Sequence, residues 1–174
     1  SLAGAADTVA RHHFRSEAIR TTTKTDGTPV SQVDLAVEQA MLALVHDLRP
    51  ADAVIGEEVG PHAGTSGWRW VFDGIDGTHN YTAGRPGWST IIAAELDGGP
   101  VLGLVSAPLL GRRWWATSDG GAWSGTVDPG GSFDPTAAER LRCGATPSLD
   151  DASVIVTPFE GFLLGWRNEV PKRF

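Results

Sequence analysis

The sequence contains little cysteine, few basic residues and no long apolar run. The single cysteine, Cys143, excludes an internal disulfide and a metal site built from cysteine alone. There are 14 Lys and Arg against 21 Asp and Glu, and the net charge of -7 argues against nucleic acid as the main partner. No run approaches the roughly 18 apolar residues of a membrane span, and the first residues lack a signal-peptide core. We therefore expect a cytoplasmic protein that binds neither nucleic acid nor membranes.

The apolar residues near the start of the chain predict two helices. Helical spacing from Leu2 to about Ala18 predicts the first helix. Ser31 as an N-cap, followed by an apolar face that continues to Leu48, predicts the second. Between them, "TTTKTDGTPV" predicts a loop or hairpin that turns at Asp26-Gly27.

The pattern then changes to short strands. "AVIGEE" and "WRWVFD" predict two buried strands that end in acidic residues, and residues 87–123 predict a meander of three or more antiparallel strands. "SGTVDPGGSFDPTAAER" predicts a polar loop, and "ASVIVTPF" predicts a further strand. Two helices followed by a mainly antiparallel sheet indicate an α+β layered fold.

Acidic residues gather at the predicted strand ends. Glu57 and Glu58 end the first strand, Asp73 and Asp76 end the second, and Asp34 lies in the first turn of the second helix. Carboxylates grouped without pairs of His or Cys suit hard cations such as Mg²⁺ or Mn²⁺, which bind oxygen. The sequence therefore predicts a divalent cation at these strand ends, bridging to a substrate phosphate.

Gly77 and Thr78 follow the second acidic pair, and "THNYTAG" predicts a short helix that begins at Thr78. Free backbone N–H groups at a helix start can bind a phosphate oxygen. The alternative is that these acids form turns and caps, which is our interpretation of Asp97 and Asp119. A calcium loop does not fit, because its acids would stand at alternate positions.

Three segments resemble signature motifs of the inositol monophosphatase family of Mg²⁺-dependent sugar and polyol phosphatases. They are "GEE" at Gly56–Glu58, "WVFDGIDGTHNY" at Trp70–Tyr81 and the upstream loop "TKTDGTPVSQVD". The similarity extends from about residue 18 to residue 125. The resemblance implies a layered α/β sandwich fold and hydrolysis of a small phosphate ester.

The resemblance also implies a role for individual residues. Glu57, Asp73, Asp76 and the backbone carbonyl of Ile75 would be metal ligands, and Glu57 would also take part in catalysis. Asp76, Gly77, Thr78 and Lys24 would contact the substrate, and Thr78 with Asp34 would activate the attacking water. At Gly74 the family usually has proline, and we expect proline to be tolerated there.

Within the family, "VSAPLLGRRWWAT" most resembles the actinobacterial histidinol-phosphate phosphatases. The resemblance therefore implies histidinol phosphate as the substrate. Inositol 1-phosphate is the alternative substrate, and a non-catalytic metal-binding or assembly module is the alternative function.

Residues 125–174 contain no Trp-Asp motif of the kind that completes the metal site in the family. We therefore expect residues 1–174 to form the N-terminal metal- and phosphate-binding lobe of a longer enzyme. Such a lobe would bind Mg²⁺ weakly and hydrolyse esters poorly by itself. It would also expose apolar surface and associate, with a homodimer as the expected state.

Overall fold

The computed structural model describes residues 1–16, 21–23 and 29–151. The chain forms two compact units, Ser1–Arg142 and Cys143–Phe174. The described part of the second unit contains a short 3₁₀ turn at Leu149–Asp151. The strand predicted at "ASVIVTPF" lies outside the described residues. The first unit contains the predicted site.

Helix α1 spans Leu2–His13 and helix α2 spans Gln32–Leu48. The predicted cap of α2 is confirmed, because the Ser31 hydroxyl accepts a hydrogen bond from the Val33 N–H and the Asp34 carboxylate accepts one from the Ser31 N–H. No helix among the described residues, α1 and α2 included, is long and apolar enough to cross a membrane.

Helix α1 ends five residues before the predicted boundary at Ala18. Arg15 has a left-handed backbone, with φ of 61°, and its guanidinium donates to the Gly84 carbonyl. The Phe14 ring lies edge-on to Tyr81, with 5.5 Å between the ring centroids. These tertiary contacts, which helical spacing alone does not reveal, turn the chain away from the helix axis.

The strands form a hairpin and one large sheet. The hairpin is β1 (Thr21–Thr23) paired antiparallel with β2 (Pro29–Ser31), as predicted, and its expected turn at Asp26-Gly27 lies outside the described residues. The eight-stranded sheet has the order β10-β9-β8-β7-β6-β5-β3-β4. Its strands are β3 (Ala53–Gly56), β4 (Gly60–His62), β5 (Trp68–Asp76), β6 (Ser89–Leu96), β7 (Gly99–Ala107), β8 (Arg112–Thr117), β9 (Gly121–Thr126) and β10 (Glu139–Leu141).

The sheet is antiparallel except for one pair. Strands β6 to β9 form the predicted meander, whereas β3 and β5 run parallel. A parallel pair requires a crossover connection. Here residues 57–67, which include the edge strand β4, form that connection. The short helix α3 (Thr78–Thr82), also predicted, follows β5 directly.

One hydrophobic cluster joins the helices to the sheet, which confirms the layered α+β arrangement. Most of its buried members come from α1, from the inner stripe of α2 and from β3, β5 and β6, and Tyr81 of α3 and Trp88 also belong to it. They include Ala6, Ala10, Val37, Met41, Val45, Val54, Phe72 and Ile92.

A buried ion pair fastens α1 to the sheet. Nη2 of Arg113 lies 2.5 Å from Oδ2 of Asp7, and both side chains are almost fully buried. The Ser106 hydroxyl donates to the Asp7 carboxylate and lies 3.0 Å from Nε of Arg113. The buried charges are thus paired and hydrogen-bonded, as burial requires.

The prediction that residues 124–140 form only a loop is wrong at both ends. Ser124 to Thr126 complete β9, and Glu139 to Leu141 form β10, which pairs antiparallel with β9. All three residues of β10 are exposed, so this strand has no alternation of apolar and polar residues to indicate it. The Arg140 guanidinium stacks over the Trp123 ring at 5.8 Å from its centroid.

Candidate active site

The parallel pairing of β3 with β5 brings the two acidic segments to the same edge of the sheet. Gly56, the last residue of β3, stands opposite Phe72 in β5. Glu57 follows Gly56 directly, and its N–H donates to the Phe72 carbonyl at 3.3 Å. Asp73 follows Phe72, so the two acidic residues are placed side by side from segments 16 positions apart.

A bulge in β5 turns Asp73 and Asp76 toward the same face of the sheet. Residues three apart in a regular strand point to opposite faces. Here Asp73 stands opposite Ile91 and Asp76 opposite Ser89, which are only two residues apart in β6. The extra residue in β5 therefore restores a common face for the two carboxylates.

The carboxylates of this edge repel one another. Burial first, and then the negative charges of Glu57, Asp76, Glu38 and Asp34 in that order, together raise the pKa of Asp73 to about 7. The positive charge of a bound cation would offset this repulsion between the carboxylates.

The oxygen atoms at this edge fit a hard divalent cation in their chemistry. Three carboxylates and the Ile75 carbonyl are the ligand types that Mg²⁺ and Mn²⁺ prefer. In the described part of the chain, no three acidic, histidine or cysteine side chains are arranged as a ready metal cluster. Mg²⁺ usually takes one or two carboxylates and fills its other positions with water and substrate phosphate. The residues present therefore fit such an ion as a partial ligand set.

Thr78 and Asp34 are in direct contact. The Thr78 hydroxyl lies 2.9 Å from Oδ1 of Asp34 and 3.0 Å from the Ile75 carbonyl oxygen. The second carboxylate oxygen of Asp34 accepts hydrogen bonds from the N–H and hydroxyl of Ser31. The cap of α2 therefore fixes Asp34 and leaves its other oxygen for Thr78.

Gly77 supplies the turn between β5 and α3. Its φ of 85° lies in the left-handed region, and a Cβ there would be 3.0 Å from the Gly87 carbonyl oxygen. Only glycine is accommodated here without strain. Lys24, the predicted basic residue of the site, lies outside the described residues.

A sequence model of the inositol monophosphatase family matches residues 1–159. The chain belongs to the inositol monophosphatase family. It is 44% identical over 165 residues to a histidinol-phosphatase of Streptomyces coelicolor, covering 92% of this chain and 59% of that protein. It is 38% identical over 162 residues to a histidinol-phosphatase of Mycobacterium tuberculosis, covering 93% and 60%.

The fold is also that of the inositol monophosphatase family. The solved structure of an inositol monophosphatase from Zymomonas mobilis superposes with a TM-score of 0.63 at 33% identity, covering 86% of this chain and 52% of that one. The chain thus spans about three fifths of the length of the two histidinol-phosphatases and about half of the solved structure.

One residue at the site was not predicted from the sequence. Glu38 in α2 is fully buried, and its carboxylate contacts both acidic segments. The signal was present, because Glu38 stands one helical turn after Asp34 and one turn before Met41, on the stripe of α2 that faces the core. An acid on a buried stripe indicates a buried acceptor with specific donors.

The expectation for Gly74 is contradicted by its surroundings. The Gly74 N–H donates to Oε1 of Glu38 at 3.2 Å, a bond that proline cannot make. A Cβ at this position would lie 2.7 Å from the backbone oxygen of Asp34. The proline usual in the inositol monophosphatase family would therefore displace backbone in this chain.

Proposed function

We propose that this chain carries the metal- and phosphate-binding part of a phosphomonoesterase that hydrolyses a small phosphate ester. The observation that carries the proposal is the contact between Thr78 and Asp34 beside the carboxylates of β3 and β5. A hydroxyl held by a buried carboxylate, next to a candidate cation site, is suited to activating water for attack on phosphorus.

In the proposed reaction, a water oxygen attacks the phosphorus atom as the bond from phosphorus to the ester oxygen breaks. The water gives a proton to Oγ1 of Thr78, whose own proton moves to Oδ1 of Asp34, 2.9 Å away. The ester oxygen takes a proton from solvent to become the alcohol, and the Asp34 carboxyl afterwards returns its proton to solvent. The hydrogen bonds from Ser31 to the other oxygen of Asp34 hold the carboxylate in the orientation that this transfer needs.

Glu57, Asp73, Asp76 and the Ile75 carbonyl would hold Mg²⁺ or Mn²⁺. When bound, the ion would neutralise phosphate charge and lower the pKa of the attacking water. Gly77, Thr78 and Asp76 would face the phosphate, with Lys24 contributing from the upstream loop. Repulsion among the carboxylates at this edge supports this assignment, since it disfavours the ion-free site.

We propose histidinol phosphate as the substrate. The support is the 44% and 38% identity to two proteins named histidinol-phosphatase. Inositol 1-phosphate is the second candidate, supported by the 33% identity to the inositol monophosphatase of Zymomonas mobilis. We further propose a cytoplasmic homodimer, on the sequence arguments given above.

The test has two arms. First, the purified 174-residue chain is assayed for phosphate release from both esters in Mg²⁺, in Mn²⁺ and with chelator. Second, the chain replaces the matching part of the Streptomyces coelicolor histidinol-phosphatase, and Asp73→Asn and Thr78→Ala are made in this chimera.

We expect slow, metal-dependent release that favours histidinol phosphate in the first arm, and loss of activity in both variants in the second. Faster release of phosphate from inositol 1-phosphate than from histidinol phosphate would identify inositol 1-phosphate as the preferred substrate. A chimera whose activity survives both substitutions would overturn the proposed site. An unsubstituted chimera that releases no phosphate would favour the non-catalytic alternative.

A further inference from the structure

Glu38 is a charged group in the interior of the protein. It lies in the second turn of α2 with its side chain fully buried. Burial raises the pKa of this carboxyl, and hydrogen bonds from four backbone N–H groups oppose the shift. A buried carboxylate is stable only where such donors converge on it.

The donors come from the two acidic segments of the site. Oε2 of Glu38 accepts from the N–H groups of Glu58 at 2.8 Å and Val59 at 2.9 Å. Oε1 accepts from Glu57 at 3.1 Å and from Gly74 at 3.2 Å. Oε1 of Glu38 thus accepts hydrogen bonds from both Glu57, directly after β3, and Gly74, in the bulge of β5.

The two glycines beside Glu38 leave room for its carboxylate. A Cβ on Gly56 would lie 2.3 Å from Oε2 of Glu38, and one on Gly74 would lie 3.1 Å from its Cγ. Both distances are shorter than ordinary van der Waals contact. The glycine of "GEE" is therefore explained by the approach of Glu38 from α2, together with that of Val59, whose Cγ2 would lie 2.5 Å from the same Cβ.

We propose that Glu38 is a positioning residue that holds Glu57 and Asp73 at a fixed separation by binding the backbone of both their segments through one carboxylate. The inference rests on the proposed function, because these segments carry the proposed metal ligands. Glu38 has no oxygen left to serve as a ligand itself, since both of its oxygens are occupied by backbone donors.

The test compares Glu38→Gln with Asp47→Asn in the 174-residue chain. Glutamine has nearly the same shape, but its amide nitrogen is a donor and cannot accept from backbone N–H groups. Asp47 lies on the exposed face of the same helix, so its substitution removes one negative charge without touching the site. Amide hydrogen exchange is followed by NMR, and Mn²⁺ binding by electron paramagnetic resonance.

In Glu38→Gln, we expect the amides of residues 57–59 and 74 to exchange at least about tenfold faster, from the loss of charge-assisted hydrogen bonds. The amides of Met41 and Val45 should keep their protection. Mn²⁺ affinity should fall about 10- to 100-fold, which is typical when a residue that orients metal ligands is changed. Asp47→Asn should change neither quantity.

Unchanged exchange at the four amides in Glu38→Gln would overturn the inference, and so would uniformly faster exchange throughout the chain. If that variant does not fold, Glu38→Asp replaces it, because it keeps the charge but is too short to reach both segments. A wild-type chain that fails to bind Mn²⁺ would count against the proposed function. In that case, amide exchange at residues 57–59 and 74 would still show whether the Glu38 carboxylate binds the backbone of both segments.

Discussion

The Thr78 hydroxyl oxygen lies 2.9 Å from Oδ1 of Asp34, although the residues are 44 positions apart in the sequence. Thr78→Ala should lower kcat by about 10²- to 10⁴-fold with little change in KM, because a group that takes up the proton of water acts in the transition state. Thr78→Ser keeps the hydroxyl and should retain most of the activity. Steady-state phosphate release by the chimera measures both. A rise in KM at constant kcat would instead make Thr78 a phosphate-binding residue.

Asp73→Asn should abolish metal-dependent turnover without destabilising the metal-free chain. The substitution removes one anionic ligand, and it also removes a charge that neighbouring carboxylates repel. Calorimetric Mg²⁺ titration and urea unfolding in chelator measure the two effects. Asp97→Asn, in the turn between β6 and β7, is the control. Wild-type turnover by Asp73→Asn in Mg²⁺ would show that Asp73 is not a ligand.

Gly74→Ala should destabilise the chain by about 1–3 kcal/mol, because its Cβ would push against the Asp34 backbone oxygen. Gly74→Pro should cost more, since it also removes the hydrogen bond to Glu38. Gly103→Ala in β7 is the matched control, because a Cβ there meets no atom within 4 Å. Urea midpoints for the three variants provide the measurement. Equal midpoints for Gly74→Ala and Gly103→Ala would contradict the close approach of α2.

Arg113→Met should destabilise the protein by about 3–5 kcal/mol, because it leaves the Asp7 carboxylate buried without its partner. Arg69→Met breaks an exposed pair with Glu95 and should cost about 0–1 kcal/mol. The difference between the two is measurable by thermal unfolding at neutral pH. A similar loss in both variants would mean that burial does not set the cost of breaking these pairs.

Asp52→Asn should destabilise the chain at neutral pH by about 1–3 kcal/mol, as expected for a buried acceptor with several donors. Burial acts to raise the pKa of Asp52, but bonds from Arg49, Ser66 and Trp70 outweigh it and lower the pKa. This stabilisation is therefore complete above the ordinary aspartate pKa and is lost as the pH falls through the lowered value. Urea unfolding at pH 7 and at successively lower pH should show the two chains converging. A constant difference would argue against the charged form as the cause.

The sequence predicts those helices and turns that are determined by contacts between residues close together in the chain. Ser31 caps α2 because its hydroxyl and Asp34 satisfy backbone groups within one turn, and the glycine turns of the meander have a similarly local cause. The association of the two acidic segments was also predicted, although its cause, the parallel pairing of β3 and β5, was not. Spacing along the chain does not specify which strands pair.

The features that sequence patterns missed depend on tertiary contacts. The end of α1 is set by Phe14 and Arg15, which contact residues near α3. Strand β10 is wholly exposed and pairs through its backbone. The position of Glu38 on the core-facing stripe of α2 indicates a buried acid, but its contact with the two acidic segments is known only from its donors.

The protein has one tyrosine, and that residue connects α1 to α3. The Tyr81 hydroxyl donates to the Ala10 carbonyl at 2.7 Å, and its ring packs against Phe14 and Trp88. Burial, followed by the charge of Asp34, raises the pKa of this phenol well above its ordinary value. Ionisation of tyrosine, visible as ultraviolet absorbance of phenolate, therefore reports when α1 separates from the segment that carries Thr78. The chain contains its own optical probe of this separation, with no second tyrosine to obscure it.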